Sequence, residues 1–385
     1  EKGKSLDYAL NYDQKFNNAR KKLALSFTSG LSKGKQNTDI PTHSLDSNGV
    51  EQGAVFMQRT HNYETASVSN AKLDYTVPVS SRSVLAMGYK GTFRNVDADF
   101  VSEYLKGGTY TLNERASNRF IYNEGIQAGY LQYKGTAAFS DKKSVNYDIG
   151  MRAEQTNNKG SNATNSLLFQ NAYLKLFPSA TLTYHLNTAD FLKIGYYKRI
   201  NRPGLGQLNP FIDITDSLNP HGGNPYLQPE IVNAFETGIS KDWRKSSVTL
   251  NLFYRHAINS IRTLISLNSN GVALVLPQNI GTNITYGLET IGTFEPLPFW
   301  MLNASISLFE QKLSANNIQL STSNQALSGY TKLINNFSIA KNTKLQIVYN
   351  YIAPSVTPQG KRISVYNTDL GFQYKIGKGR GAFGL

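Results

Sequence analysis

The sequence predicts an all-β fold, a transmembrane antiparallel β-barrel present in part, as about 15–16 strands of a larger barrel. Three observations predict it. Apolar and polar residues alternate with period two over long stretches. Tight polar turns take turns with long polar segments along the chain. No window approaches the roughly 18 consecutive apolar residues of a membrane helix. A helical membrane protein is thereby excluded. A barrel is not, because its strands are apolar on one face only.

In chain order, Val145, Tyr147, Ile149 and Met151 alternate with Asn146, Asp148, Gly150 and Arg152. The longest row runs through Ala172, Leu174, Leu176, Pro178, Ala180, Leu182, Tyr184 and Leu186, against Tyr173, Lys175, Ser179, Thr181, Thr183 and His185. Val248, Leu250, Leu252 and Tyr254 alternate with Thr249, Asn251, Phe253 and Arg255. Two further rows are Trp300 to Leu308 and Leu345 to Tyr351. Helical spacing fits none of them. Their length suits tilted membrane strands, which need ~9–11 residues.

Short turns are expected near Asn17–Arg20, Ser80–Arg82, Ser140–Lys143, Asn187–Asp190, Arg244–Ser246, Glu295–Pro298 and Lys341–Thr343. Longer loops are expected over Ser32–Gln52, Ser102–Arg119, Thr156–Gln170, Arg202–Glu230, Arg262–Pro277 and Lys312–Ser328. Outer-membrane barrels have this asymmetry, with short periplasmic turns and long extracellular loops. A soluble sandwich fits less well, because so many consecutive long hairpins would leave open edges, whereas a closed barrel pairs every strand.

Composition narrows the chemistry. The 385 residues contain no Cys, which removes disulfides, Cys-ligated zinc and thiol nucleophiles. Tyr numbers 23 and Phe 19 against 2 Trp, and Tyr suits a membrane interface. The net charge of +14 is spread along the chain without a basic block, so nucleic acid is not expected as a partner.

Motifs of catalysis and metal binding are mostly missing from the sequence. The histidines His43, His61, His185, His221 and His256 show no paired ligand spacing. A formal GxGxxG at Gly379, Gly381 and Gly384 lacks a surrounding βαβ unit and reads as a Gly-rich turn. Asp97 with Asp99, and Asp213 with Asp216, are short of the 6–8 oxygen ligands that calcium takes. Neither a catalytic residue, a metal site nor a cofactor is expected.

The segment Arg202–Glu230 differs from the rest. It carries Pro203, Pro210, Pro220, Pro225 and Pro229 and little alternation. A loop this long is functional or disordered, and its Pro, Asn and aromatic content points to an ordered one. Arg199, Arg202, Asn209, Phe211, Asn224 and Tyr226 are the candidate ligand-binding residues, set in this extracellular loop and the upper lumen beneath it. The competing expectation is that the loop folds over the mouth and only braces its neighbours.

Here the residues YYKRINRPGLGQLNPF (Tyr196–Phe211), then GNPYLQPEIVNAFETG (Gly223–Gly238), resemble the TonB-dependent receptors of the outer-membrane β-barrel family. The matching positions are Arg202–Pro203, Leu208–Phe211, Gly223–Pro225, Leu227 and Pro229–Glu230, with LFPSATLTYHLN (Leu176–Asn187) just before them. The resemblance implies a barrel of about 22 strands with an N-terminal plug. It also implies uptake of a scarce large solute driven by the TonB complex of the inner membrane. The sequence shows no plug and no TonB-box segment, and it stops soon after Tyr374. Residues 1–385 are therefore expected to be one barrel domain, with its start and its end missing and TonB engaged through the missing N-terminal region. Expected partners are outer-membrane lipid and a small solute of unidentified class, in a Gram-negative outer membrane. An outer-membrane surface binding or assembly protein without transport, or an outer-membrane enzyme barrel, are the alternatives.

Overall fold

The computed structural model describes residues 2–18, 20–162, 167–216, 219–267, 271–315, 323–376 and 381–384. Strands follow one another as antiparallel neighbours: β1 (Lys2–Lys15), β2 (Lys22–Leu45), β3 (Glu51–Pro78) and β4 (Ser83–Lys106). A short β5 (Thr109–Leu112) folds back on β4, and β6 (Asn118–Ala138) resumes the wall beside it. Next come β7 (Ser144–Asn162), β8 (Leu167–His185) and β9 (Phe191–Asn201).

A loop then holds α1 (Leu205–Leu208), β10 (Ile212–Asp213) and β11 (His221–Gly222). The wall continues with β12 (Glu230–Trp243), β13 (Ser246–Leu267), β14 (Ala273–Leu297), β15 (Trp300–Ser314), β16 (Ser323–Ala340) and β17 (Thr343–Ile352). A small hairpin, β18 (Ser355–Thr357) with β19 (Gly360–Arg362), precedes β20 (Val365–Ile376) and β21 (Gly381–Gly384). Among the described residues no pairing joins β1 to β20 or β21.

The wall curves. Val96 on β4, Phe120 and Tyr122 on β6, Phe169 on β8 and Ile261 on β13 meet in one buried cluster on its concave face. The convex face carries the expected apolar rows. Leu250, Leu252 and Tyr254 are exposed while Phe253 between them is buried. Leu174, Leu176 and Leu182 are exposed while Phe177 is buried. An isolated sheet with this pattern would be insoluble in water, and lipid is what covers such a face.

Aromatic rings bound the apolar band. On β12, Trp243 and Phe235 mark its two margins, with Ile239 between them. The eight steps from Phe235 to Trp243 span about 27 Å of strand at ~3.4 Å per residue, or about 20 Å of height once tilted. Phe235 stands in a cross-strand row with Tyr196 and Tyr254, at centroid distances of 4.7 and 6.5 Å. At the turn side Trp300 stacks on Phe337 at 5.8 Å, and its indole N–H donates to Asn335 at 3.0 Å. These are the rings expected where hydrocarbon gives way to water.

The turn side matches expectation at each short connection, with two refinements. β14 runs on to Leu297, which pairs with Trp300, so that turn narrows to Pro298–Phe299. Ala19, within the Asn17–Arg20 turn, lies outside the described residues.

The long segments differ more, for most of them are strand rather than loop. Ser32–Gln52 stays paired through β2 and β3, and only Asp46–Val50 turns. Its Asp46 carboxylate accepts the Asn48 and Val50 N–H groups at 2.8 and 2.9 Å. Ser102–Arg119 holds the end of β4, all of β5 and a 3₁₀ turn at Glu114–Ala116. Thr156–Gln170, Arg262–Pro277 and Lys312–Ser328 are also strand at both ends. Residues 163–166, 268–270 and 316–322 of these segments lie outside the described residues. β3 has 28 residues, far beyond what crossing the bilayer takes. Above the lipid both faces meet water, so the alternation fades while backbone pairing continues. The formal GxGxxG falls partly on β21, where Gly381 and Gly384 pair with β20. Gly379 lies outside the described residues.

Candidate functional site

Among the described residues Arg202–Glu230 is the expected loop that leaves the wall over most of its length, and it turns inward; residues 217–218 within it lie outside the described residues. Pro203 has no N–H to donate, so the ladder of β9 ends at Asn201. One helical turn, α1, follows. Leu205 and Leu208 of this turn, with Leu227 from the far arm of the loop, complete the concave cluster on β4, β6, β8 and β13. Leu208 and Leu227 are 1% and 2% exposed. The loop thus contributes apolar packing to the interior of the mouth.

The two arms are stitched back to back. The Gly223 N–H donates to the Asn209 carbonyl at 2.8 Å, and the Asn224 N–H to the Gln207 carbonyl at 2.6 Å. A Cβ on Gly223 would lie 2.5 Å from the Asn209 oxygen and 2.6 Å from the Gln207 oxygen. Only glycine allows this approach. The LNP and GNP stretches that stood out in the sequence are the two sides of this seam. The far arm is tied to β14: Val275 N–H donates to the Pro220 carbonyl at 3.0 Å, and His221 pairs in parallel with Val275.

Beneath the loop, three glutamates on the inner wall, Glu124, Glu154 and Glu236, are held by arginine or tyrosine. Glu154 on β7 is 2% exposed and lies between the guanidinium groups of Arg152 and Arg202. Arg202 also donates to the Thr156 hydroxyl at 3.4 Å. Glu124 accepts from the Tyr122 hydroxyl at 3.1 Å and faces Arg94 at 3.7 Å. Glu236 pairs with Arg255 at 3.2 Å and accepts from Tyr197. A buried carboxylate is tolerated only when it is paired and hydrogen-bonded in this way.

The structure places the six sequence-derived candidates as follows. Arg199 is exposed on the inner face of β9, its guanidinium 4.0 Å from the centre of the Tyr197 ring. Among the described residues it has no carboxylate within ion-pair distance. Arg202 is spent on Glu154. Asn209 accepts the Phe211 N–H at 3.2 Å and the Asn118 amide at 3.4 Å. Phe211 packs 6.2 Å from Phe100. Asn224 accepts the Tyr226 N–H at 3.0 Å and donates to the Pro277 carbonyl at 3.3 Å. Tyr226 is 71% exposed. Four of the six therefore brace the loop, and Arg199 and Tyr226 present free surface.

Sequence reasoning did not find Glu154, Thr156 or Asn279 as partners of the loop. The available signal was weak: Glu154 follows Arg152 by two residues and so shares its inward face. The acidic pairs carry other duties. Asp97 is held by Arg119 at 2.7 and 3.0 Å, and Asp213 accepts the Thr215 N–H at 2.8 Å.

Comparison with known proteins agrees with this architecture. The model of the outer membrane protein beta-barrel family matches residues 14–385. No curated protein matches the sequence. Three solved structures illustrate the likeness. The ferric citrate transporter FecA, unliganded, matches with a TM-score of 0.65 at 13% identity, over 97% of this chain and 54% of that one. The copper transporter OprC matches with 0.65 at 12%, over 98% and 57%. BauA, the ferric preacinetobactin receptor from Acinetobacter baumannii, matches with 0.63 at 13%, over 97% and 56%. At these identities the likeness is one of fold, and the chain spans a little over half the length of those proteins.

Proposed function

Because this chain belongs to the outer membrane protein β-barrel family, we propose that it is the barrel of an outer-membrane receptor for a scarce solute. On this reading uptake draws energy from the TonB complex, through a gate that the barrel encloses in the whole receptor. The observation that carries the reading is the inward-folded loop, fastened along both arms, with Arg199 and Tyr226 left open at the mouth. An ordered rim of this kind loses little entropy when a solute docks. The structures that share the fold include a ferric citrate transporter, a copper transporter and a ferric preacinetobactin receptor. That range supports a small metal-bearing cargo. The net charge of +14 favours an anionic one.

The experiment is uptake by cells carrying the full-length receptor, with Pro210–Asn224 deleted or with Arg199→Gln and Tyr226→Ala combined. Barrel melting is measured alongside. Lost uptake with unchanged melting supports solute capture. Lost folding in the deletion supports bracing alone. Full uptake in both variants removes the loop from the function. Solute binding that persists without any TonB-dependent uptake would support a surface binding protein instead.

A further inference from the structure

On the convex face, the apolar rows of β1 and β2 end in lysines. Tyr12, Leu10, Tyr8 and Leu6 on β1 are exposed, as are Leu25, Phe27 and Leu31 on β2. Leu6 pairs with Leu31. The next two outward positions on each strand are Lys4 and Lys2, and Lys33 and Lys35, with Lys4 opposite Lys33 and Lys2 opposite Lys35. Like charges directly opposite across a ladder repel. Here two such pairs are stacked one above the other. Among the described residues none of the four has a carboxylate within 4.0 Å.

The surroundings do little to relieve the repulsion. Lys35 leans over the Tyr63 ring at 5.0 Å. Asp97, two strands away, is held by Arg119. Asp99 stands beyond Tyr63, and Glu64 lies opposite Gly34, whose alternation points it to the concave face. The depression is about 770 Å³ and is lined by the four lysines, Tyr63, Thr65 and Arg119, and by the acidic residues Glu64, Asp97 and Asp99, so four lysines and an arginine face three acids. Its place is decisive. It opens just above the apolar band and on the loop side, which faces the cell exterior in an outer-membrane barrel. Lipid phosphates lie at that height, and the acyl chains below them would rest on Leu6, Leu31 and Phe27.

We propose that Lys2, Lys4, Lys33 and Lys35 form a clamp for the phosphates of an outer-leaflet glycolipid held against the barrel wall. The inference rests on the outer-membrane placement, and it is independent of what the receptor transports. One lipid phosphate between each lysine pair turns two repulsive contacts into charge-assisted hydrogen bonds.

Native mass spectrometry of the full-length protein in detergent tests this. The probe is an acylated glucosamine disaccharide bearing two phosphates, compared with the same lipid after phosphate removal. Lys33→Gln with Lys35→Gln should weaken retention of the phosphorylated lipid about tenfold, and the quadruple Lys→Gln variant about a hundredfold. Lys341→Gln with Lys344→Gln, on the opposite rim, should leave it unchanged. Heat-modifiable gel mobility reports folding, and if the quadruple variant fails to fold the double variant carries the test. Equal retention of the dephosphorylated lipid would overturn the proposal, because ordinary snorkelling lysines would then explain the patch. So would displacement of the lipid by an equimolar amount of inorganic phosphate, which would identify a site for the free anion. Equal loss in the Lys341/Lys344 variant would overturn it too.

Discussion

Asn279 grips Gln228 at both of its backbone groups. The Asn279 side-chain oxygen accepts the Gln228 N–H at 2.8 Å, and its amide nitrogen donates to the Gln228 carbonyl at 2.8 Å. The same amide reaches the carbonyl of Asn259, whose φ is 57°. One side chain on β14 thus imitates a strand neighbour for the far arm of the mouth loop. Asn279→Ala should free that arm at a cost of about 1–3 kcal/mol. Hydrogen exchange over residues 221–230 should speed up, while the amides of β13 and β14 near Tyr254 keep their protection. Unchanged exchange in the loop would mean that the seam with Gln207 and Asn209 holds it alone.

Gly223→Ala tests that seam. Its Cβ meets two backbone oxygens that cannot move aside cheaply, so the arms must part at about 1–3 kcal/mol. Gly206→Ala is the control, because nothing lies within 4 Å of a Cβ there. Limited proteolysis should nick the loop of the Gly223 variant and spare the control. Equal resistance of both would refute the close approach.

Glu154 is the most costly charge on the inner wall. Glu154→Ala leaves Arg152 and Arg202 facing each other with only the more distant Glu124 to offset them, and breaking a buried pair typically costs about 3–5 kcal/mol. The melting temperature should fall further than in Glu236→Ala, whose side chain is 29% exposed. A smaller fall for Glu154→Ala would show that water reaches the cluster.

The lipid-facing assignment predicts opposite outcomes at neighbouring positions. Leu250→Arg should destabilise the barrel by about 2–4 kcal/mol at mid-bilayer depth, and Asn251→Arg by much less. Spin labels at the two sites should report lipid and water respectively. Equal accessibility would reverse the reading of β13.

The turn between β8 and β9 should respond to acid. The Asn187 side chain, with the Asp242 N–H at 3.0 Å, holds the Asp190 carboxyl below its ordinary range. A lowered native pKa means that the stabilisation is present above the unfolded value near 3.9 and is lost as pH falls through the native value. Asp190→Asn should therefore melt lower than the parent at neutral pH, and the difference should vanish in strong acid. A constant difference across that range would exclude the carboxylate as its source.

What the sequence by itself determined is local and periodic. Strand period, the choice of lipid face and the short turns are set by contrasts between residues one or two apart, such as Leu250 beside Asn251. The Arg202–Glu230 loop was legible too, because five prolines fall within it and the alternation stops, whereas single prolines such as Pro178 and Pro277 stay inside paired strands. Strand length was not legible. Above the bilayer both faces of β2 and β3 are wet, so no contrast marks the paired residues between Lys33 and Glu64. The site was not legible in its partners. Arg202 meets Thr156 across 46 residues and Asn209 meets Asn118 across 91. Gly223 needs to be glycine because Gln207 and Asn209 arrive beside it. Only the curvature of the wall and the inward fold of the loop bring these groups together, so the tertiary structure decided which candidates brace the mouth and which remain free. No pattern of neighbours along the chain encodes a contact made by closure.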